Sequence, residues 1–301
     1  MYFPTADIEV QLWLPPLVAF SISFFTSMGG VSGAFLLLPF QITYLGFTSP
    51  SVSATNHLFN TIAVPGGVCR YIREGRMVWP LAWAVILGTL PGVLLGTFIR
   101  TRYLLDPTLF KQFMALVMLY IGFRLLENIY RSRRARKRSK GRSPADDRPE
   151  KTDTISSPWF NAQSLGFTFQ GQTYRVSTPS VMLLSLVVGV IGGVYGIGGG
   201  ALMAPFFISV FGLPIHTVAG AALMGTLVSS FAGVFFFHCA AFFLPQAAVA
   251  PDWRLGLLFG LGGCAGMYCG AKLQRFVPAY CIQAVLACSV LFIAFRYSGF
   301  F

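Results

Sequence analysis

The chain has 301 residues, of which 55% are hydrophobic and only 11% are charged, and its mean hydropathy is +0.67. Soluble globular domains carry about 25% charged residues, so this composition excludes an ordinary soluble protein and indicates that lipid surrounds most of the chain. The net charge of +12 does not predict nucleic-acid binding, because eight of the 22 Lys and Arg residues lie in one run, RSRRARKRSKGR, at 131–142.

Five apolar segments make up the first part of the chain, at 12–27, 34–45, 53–69, 79–99 and 112–130. As one helix, residues 12–45 would be about 51 Å long, which is too long for one crossing of a roughly 30 Å hydrocarbon core and too short for two. Residues 29–33 (GGVSG) interrupt this stretch. Glycines at membrane depth predict an unwound or re-entrant segment that is buried in protein or lines a wet cavity.

Polar side chains on the third segment, at Ser53, Asn56, His57 and Asn60, fall at helical spacing on one face. Amide and hydroxyl groups suit an oxyanion, and they serve equally as hydrogen bonds between membrane helices. The sequence leaves both roles open for these residues, and it also leaves His57 open as a packed, neutral side chain.

The segment that follows, 131–179, is predicted to be a polar and basic cytoplasmic linker. Its run Arg131 to Arg142 directly follows an apolar helix, where it is expected to anchor the chain beside anionic lipid on the inner side. Residues 139–157 are low-complexity and are expected to be disordered. Residues 167–176 alternate around Gly171, which predicts a short surface hairpin.

Apolar segments then recur at 180–194, 201–211, 218–237, 255–271 and 281–295. An offset of 166 residues carries Pro39 onto Pro205, and an offset of 174 carries Trp79 onto Trp253. The chain is therefore predicted to contain two homologous membrane repeats, 1–130 and 180–301, joined by the linker. The second repeat has its own glycine interruption, GGVYGIGGG at 192–200, and its own polar stripe at Thr226, Ser229 and Ser230.

Paired helix breaks at corresponding positions of two repeats indicate the binding site of a transporter. New helices starting near Ala34 and Ala201 would present unpaired N–H groups and a partial positive charge to an anion. The residues expected to contact a small anionic substrate are Gly29, Gly30, Ser32, Gly33, Ala34, Asn56, His57, Asn60, Gly196, Gly198, Gly199, Gly200, Thr226, Ser229 and Ser230.

Glycines spaced by four residues line the fourth segment of each half, at 88, 92, 96 and at 262, 266, 270. Such faces let helix backbones approach closely in lipid. Packing within the chain is the favoured interpretation, and a homodimer interface is the alternative.

No catalytic pattern is found in this sequence. The ten acidic residues lie almost entirely in loops, and the six cysteines form neither a CxxC pair nor a cluster with His. We therefore expect no enzymatic activity, no cofactor, no metal and no nucleic-acid partner. Arg124 is the one intramembrane cation that the segments suggest, and a local pair with Glu127 would account for it.

The duplicated blocks resemble the TauE/SafE family of sulfite exporters and related permeases. Residues 196–200 (GIGGG) followed by Pro205 match the family's pattern, and residues 30–34 (GVSGA) followed by Pro39 match it with Ser32 and Ala34 in place of glycines. The pair Arg70 and Tyr71 before a charged turn is a further family-like feature. The resemblance covers nearly the whole chain outside the linker, and it implies movement of a small, often sulfur-containing anion such as sulfite, a sulfonate or a related carboxylate.

The predicted fold is an all-α polytopic protein of the bacterial cytoplasmic membrane, in which each repeat has a glycine-broken or re-entrant first helix plus three spanning helices. Re-entrant hairpins would make the repeats inverted, whereas single tilted crossings would make them parallel. Counting Lys and Arg in the loops gives 16 inside and 5 outside for either arrangement. Segment lengths favour the hairpins, with both termini outside. A membrane docking or sensor protein and an anion channel are the alternative functions.

Overall fold

The computed structural model describes residues 1–28, 32–139, 155–169, 171–245, 247–273, 288 and 291–295. Its first half opens with two short antiparallel strands and continues with six helices. These are β1 (Tyr2–Phe3), β2 (Ile8–Glu9), α1 (Leu14–Met28), α2 (Ala34–Thr43), α3 (Ser51–Ala63), α4 (Pro65–Arg73), α5 (Trp79–Arg102) and α6 (Pro107–Ser139).

A small three-stranded sheet precedes the helices of the second half. The elements are β3 (Ser156–Phe160), β4 (Ser164–Phe169), β5 (Gln172–Ser177), α7 (Thr178–Tyr195), a 3₁₀ turn (Gly199–Leu202), α8 (Met203–Ser209), α9 (Ile215–Phe243) and α10 (Trp253–Leu273). Residues 291–295 are also helical.

Among the described residues, three helical stretches are long and apolar enough to cross a membrane. They are Trp79–Arg102, Thr178–Tyr195 and Thr217–Phe243. This confirms the prediction of a helical membrane protein. The helices α1 and α2 are shorter, with 15 and 10 residues, so the interruption expected in the first apolar stretch does divide it into two pieces.

The most extensive helix packing joins the two halves of the chain. Helix α5 of the first half packs on α7 of the second, and α1 packs on α10. A Cβ added to Gly92 would lie 2.4 Å from the carbonyl oxygen of Leu186, and one added to Gly266 would lie 2.3 Å from that of Phe20. The spaced glycines therefore bring backbones together within the chain, as the favoured interpretation expected.

Helix directions follow from which residues meet. Gly88 lies beside Met182 and Gly96 beside Val190, so α5 and α7 run parallel. The equivalent glycines of α10, Gly262 and Gly270, lie beside Pro16 and Phe24, so α1 and α10 also run parallel. The offset of 174 residues carries the glycines of α5 onto those of α10, and the offset of 166 residues carries α1 onto α7. The two packed pairs therefore correspond to each other.

Helices α3 and α4 together form one interrupted rod, broken at Val64 where Pro65 begins α4. Pro65 has no N–H and fits the first turn of a new helix. This rod packs on α9 in the antiparallel direction, because His57 lies against Gly233 whereas Tyr71 lies against Gly220.

The hairpin predicted around Gly171 is formed by β4 and β5, and the sequence analysis missed the third strand, β3. The hairpin is also less superficial than predicted. Leu165 and Phe167 are fully buried, because β4 lies against α5 and α7. The part of the linker next to α7 is therefore a folded cap on the ends of two membrane helices.

Candidate functional site

The two interrupted segments meet at the side chain of Asn60 on α3. Its Nδ2 donates a hydrogen bond of 2.8 Å to the carbonyl oxygen of Ile197, in the second glycine tip (residues 196–200). Its Oδ1 accepts a hydrogen bond from the hydroxyl of Ser32, in the first glycine tip (residues 29–33). One fully buried amide therefore joins both tips.

Further polar groups secure the start of α2. Asn56 Nδ2 donates to the carbonyl oxygen of Ala34 at 2.9 Å, and Gln41 Nε2 donates to Asn56 Oδ1 at 3.4 Å. From the second half, the hydroxyl of Tyr195 donates to the carbonyl oxygen of Phe35 at 2.9 Å. All of these contacts are buried, so the start of α2 is held by α3 and by the end of α7.

The second tip fits closely between three helices. Gly196 has a φ of +84°, and a Cβ there would lie 2.4 Å from the carbonyl oxygen of Ser53 on α3. A Cβ on Gly199 would lie 2.6 Å from the side chain of Thr89 on α5, and one on Gly200 would overlap the backbone of α9. Only glycine lets the chain pass at these points, because any side chain would collide with backbone or buried atoms.

The helix-start N–H groups differ from the sequence expectation, which had them unpaired. The N–H of Ala34 donates to Ser32 Oγ at 3.3 Å, and the N–H of Gly199 donates to Ser229 Oγ at 2.9 Å. Serine hydroxyls therefore occupy these two donors in this conformation. Both hydroxyls also donate onward, that of Ser32 to Asn60 Oδ1 and that of Ser229 to the carbonyl oxygen of Thr226 at 3.2 Å.

The polar stripe of α9 contacts the second tip in three different ways. Ser229 accepts the Gly199 N–H, whereas the hydroxyl of Thr226 bonds within its own helix, to Ala222 at 2.9 Å. Ser230 Oγ is buried, and a Cβ on Gly198 would lie 2.6 Å from it. Ser229 and Ser230 therefore face the tip with their hydroxyls, and Thr226 faces it with its backbone and its methyl group.

His57 lies at the edge of this cluster, near the backbone of Gly193 in α7. Its ring packs between α3 and α9, against Gly233 and with its centroid 5.9 Å from that of Phe237. The tips are approached by Ser53, Asn56 and Asn60, which lie on the same helix. Gly29 and Gly30 lie outside the described residues, so the structure does not place them.

A buried cation that the sequence analysis missed lies beside the site. Arg100, near the end of α5, is fully buried, and its Nε lies 3.3 Å from Ser53 Oγ. Ser53 in turn donates to the carbonyl oxygen of Val194 at 2.9 Å. Arg124 behaves as expected, because its Nη1 pairs with Glu127 at 2.9 Å.

Every described site residue is shielded from solvent. The side chains of Ser32, Asn56, Asn60, Ser229 and Ser230 are at most 1% exposed. The structure is therefore a closed conformation, and a solute could reach the tips only after helices move apart.

Sequence comparison places this arrangement in a known group. The profile of the family described as sulfite exporter TauE/SafE matches residues 16–297, which is nearly the whole chain. The chain belongs to the TauE/SafE sulfite exporter family.

A curated relative of this family member is described as a probable membrane transporter protein, YdhB, from Bacillus subtilis (strain 168). The two sequences are 28% identical over 120 residues, which is 38% of this chain and 46% of the relative. The match thus spans about half the length of the curated relative. No solved structure matches the chain.

The Arg70 and Tyr71 pair, which contributed to the TauE/SafE resemblance, lies at the opposite end of the α3–α4 rod from Ser53. Arg70 and Arg76 both bind the carboxylate of Glu74, at 2.7 and 3.1 Å, and they hold the pKa of that carboxyl below its usual value. The ring of Tyr71 packs against Gly220 of α9. The pair therefore fixes the turn after α4 rather than contributing to the glycine tips.

Proposed function

We propose that this protein is a multi-pass permease of the cytoplasmic membrane that moves a small anion, of the sulfite, sulfonate or related organic-acid class. The observation that carries the proposal is the meeting of two interrupted helices at Asn60, inside a fully buried set of amide and hydroxyl groups. Unwound backbone at membrane depth is tolerated where it forms a binding site. The family's description as sulfite exporters supports the substrate class.

The membrane topology proposed here has two inverted repeats. The antiparallel packing of α3–α4 on α9 supports it, because these elements correspond under the 166-residue offset. The basic run at 131–142 supports a cytoplasmic position for the linker. The segment α1–α2 is then a re-entrant hairpin from the outer side, and α7–α8 is one from the inner side.

Two helix bundles provide the moving parts in this proposal. One contains α1, α2, α3 and α10, and the other contains α5, α7, α8 and α9. Glycine-mediated backbone contacts hold α1 to α10 and α5 to α7, whereas α3 and α9 meet across the boundary through side chains such as His57 and Phe237. Rocking at the α3–α9 boundary would open the tips to one side and then the other.

Anion uptake into proteoliposomes tests the function. We would compare sulfite, sulfate, sulfoacetate and chloride for the native protein, Asn60→Ala and Thr61→Ala. Thr61 is the matched control, because it is adjacent and its hydroxyl bonds only to His57 O within α3. Substitutions in the second tip itself are less suited, since a side chain at residue 199 would collide with Thr89 and disturb folding.

Saturable uptake of one sulfur anion that is lost in Asn60→Ala and kept in Thr61→Ala would support the permease. Flux without saturation or countertransport would indicate a channel. A thermal unfolding transition would first show that the purified protein is folded. If such protein gave no flux of any anion, the result would contradict the proposal and favour the docking or sensor alternative.

A further inference from the structure

Arg100 is a buried cation whose hydrogen bonding is incomplete. Its guanidinium carbon lies 3.7 Å from the centroid of the Phe110 ring, Nε donates to Ser53 Oγ, and Nη1 donates to the carbonyl oxygen of Leu104. Its Nη2 is buried and has no hydrogen-bond partner in the described part of the chain. The Arg100 side chain is fully excluded from solvent.

No carboxylate balances this charge among the residues that the structure describes. The ion pairs found there join Arg70 and Arg76 to Glu74, and Arg124 to Glu127. The carbonyl groups at the end of α5 supply a partial negative charge, which Arg100 uses through Leu104. This leaves a charged donor within the membrane region without a partner, and such residues mark the path of an ion or a substrate.

The position of Arg100 connects it to the second glycine tip. Ser53, which accepts the bond from Arg100 Nε, also donates to Val194 O, two residues before Gly196. The backbone of Ser53 is the surface on which Gly196 rests. One side chain therefore separates Arg100 from the tip, on the side of the membrane where α5 ends.

The 174-residue offset that aligns Trp79 with Trp253 carries Arg100 onto Gln274, an uncharged residue. Residue 274 lies outside the described residues, so this comparison rests on the sequence alone. In the proposed topology Arg100 lies on the outer side of the tips.

We propose that Arg100 binds the transported anion on the outer side of the glycine tips, with Nη2 as the donor that an oxyanion oxygen takes up. A guanidinium group presents planar, charged donors that fit two oxygens of one anion at once. This inference rests on the proposed function, and it adds a charged donor to the amide and hydroxyl groups around the tips.

The test is the effect of sulfite on the thermal unfolding midpoint of the purified protein in detergent, with sodium gluconate keeping the ionic strength constant. Native protein would be compared with Arg100→Gln and with Arg102→Gln. Arg102 is the matched control, because it is an exposed arginine two residues further along the same helix end. We expect sulfite to raise the unfolding midpoint of the native protein and of Arg102→Gln with equal apparent affinity. For Arg100→Gln we expect an apparent sulfite affinity that is at least about tenfold lower.

Equal sulfite affinity in Arg100→Gln and native protein would overturn the Arg100 assignment and leave the proposed function standing. If sulfite, sulfate and sulfoacetate all fail to stabilise the native protein, both proposals fail. Should Arg100→Gln not fold, Arg100→Lys replaces it, since lysine keeps the charge without the planar donors. An affinity about tenfold weaker is expected for that variant, and native affinity would overturn the assignment.

Discussion

The side chain of Asn60 has a double role that makes it the most sensitive single residue of the site. Its amide satisfies the Ile197 carbonyl oxygen and the Ser32 hydroxyl, neither of which is exposed to solvent. Asn60→Ala would remove the hydrogen-bond partner of both groups. Each buried group that finds no new partner lowers the free energy of unfolding by about 1–3 kcal/mol. We expect a clearly lower thermal unfolding midpoint for Asn60→Ala, measured in detergent.

Thr61→Ala provides the comparison for that measurement, because it removes only a hydroxyl bonded within α3. Its midpoint should stay close to that of the native protein. If the two variants unfold at the same temperature, Asn60 does not link the tips in solution, and the closed conformation described here would not be the stable one.

Gly196 allows a second prediction at the same scale. It has a φ of +84°, and Gly212, in the loop after α8, has a φ of +64°. Alanine at either site would have to adopt the left-handed conformation, which lowers the stability of the fold by about 1–2 kcal/mol. A Cβ on Gly196 also meets the backbone of Ser53 at 2.4 Å, whereas one on Gly212 meets nothing within 4 Å. We expect Gly196→Ala to lower the unfolding midpoint substantially more than Gly212→Ala.

Equal midpoints for those two alanine variants would mean that backbone conformation alone explains the need for glycine at residue 196. In that case the second tip would have space around it, and the close approach of Ser53 would not restrict the chain there.

Among the helices, the glycine faces of α5 and α10 bring helix backbones into close contact within each of the two proposed bundles. Gly92→Ala and Gly266→Ala would each place a methyl group within 2.4 Å of a carbonyl oxygen on the partner helix. Cores that cannot adjust lose about 1–3 kcal/mol to such overpacking. Both variants should therefore have lower unfolding midpoints than the native protein.

Gly66→Ala is the control for the two glycine-face variants, because it lies within α4 and a Cβ there would have no neighbour within 4 Å. Alanine is a better helix former than glycine by up to about 1 kcal/mol, so this variant should be as stable as the native protein or more so. A drop in midpoint for Gly66→Ala as large as those of the other two would show that the effect is not one of helix packing.

What the sequence could and could not predict is clearest when these elements are compared. The glycine breaks and the hairpin at β4–β5 were predictable because they depend on neighbouring residues. The burial of Arg100 was not, because arginine at the end of an apolar run usually reaches towards the interface. Its position depends on Phe110 and Ser53, which come from other helices, and no local pattern reveals them.

The partner of the Gly199 N–H was unpredictable for the same reason, because Ser229 reaches Gly199 only where α9 passes behind the second tip. The partner of the Ala34 N–H is local, since Ser32 lies two residues before it, and the preference for serine at helix starts could have indicated it. Strand β3 was missed because its residues, SSPWF, adjoin a polar segment that by composition resembles a disordered linker. Its pairing with β4 supplies the order that composition alone does not indicate.

The whole molecule is expected to have an outer side that carries the α5–α6 and α9–α10 loops and an inner side that carries the sheet β3–β5. Single cysteines test this in a background without the six native ones. We choose Tyr103→Cys, Ala248→Cys and Ser157→Cys, since all three positions are exposed. A membrane-impermeant maleimide should label residues 103 and 248 in intact cells, and residue 157 only after the membrane is opened.

Residue 248 decides between the two arrangements of the repeats. With re-entrant hairpins, α7–α8 returns to the inner side, so α9 crosses outwards and its end is labelled from outside. With single tilted crossings, residues 248 and 157 would both be inside, and only residue 103 would react in intact cells. Labelling of residue 248 from outside would therefore establish that the repeats are inverted, because a segment that begins and ends on one side of the membrane reverses the direction of every helix after it.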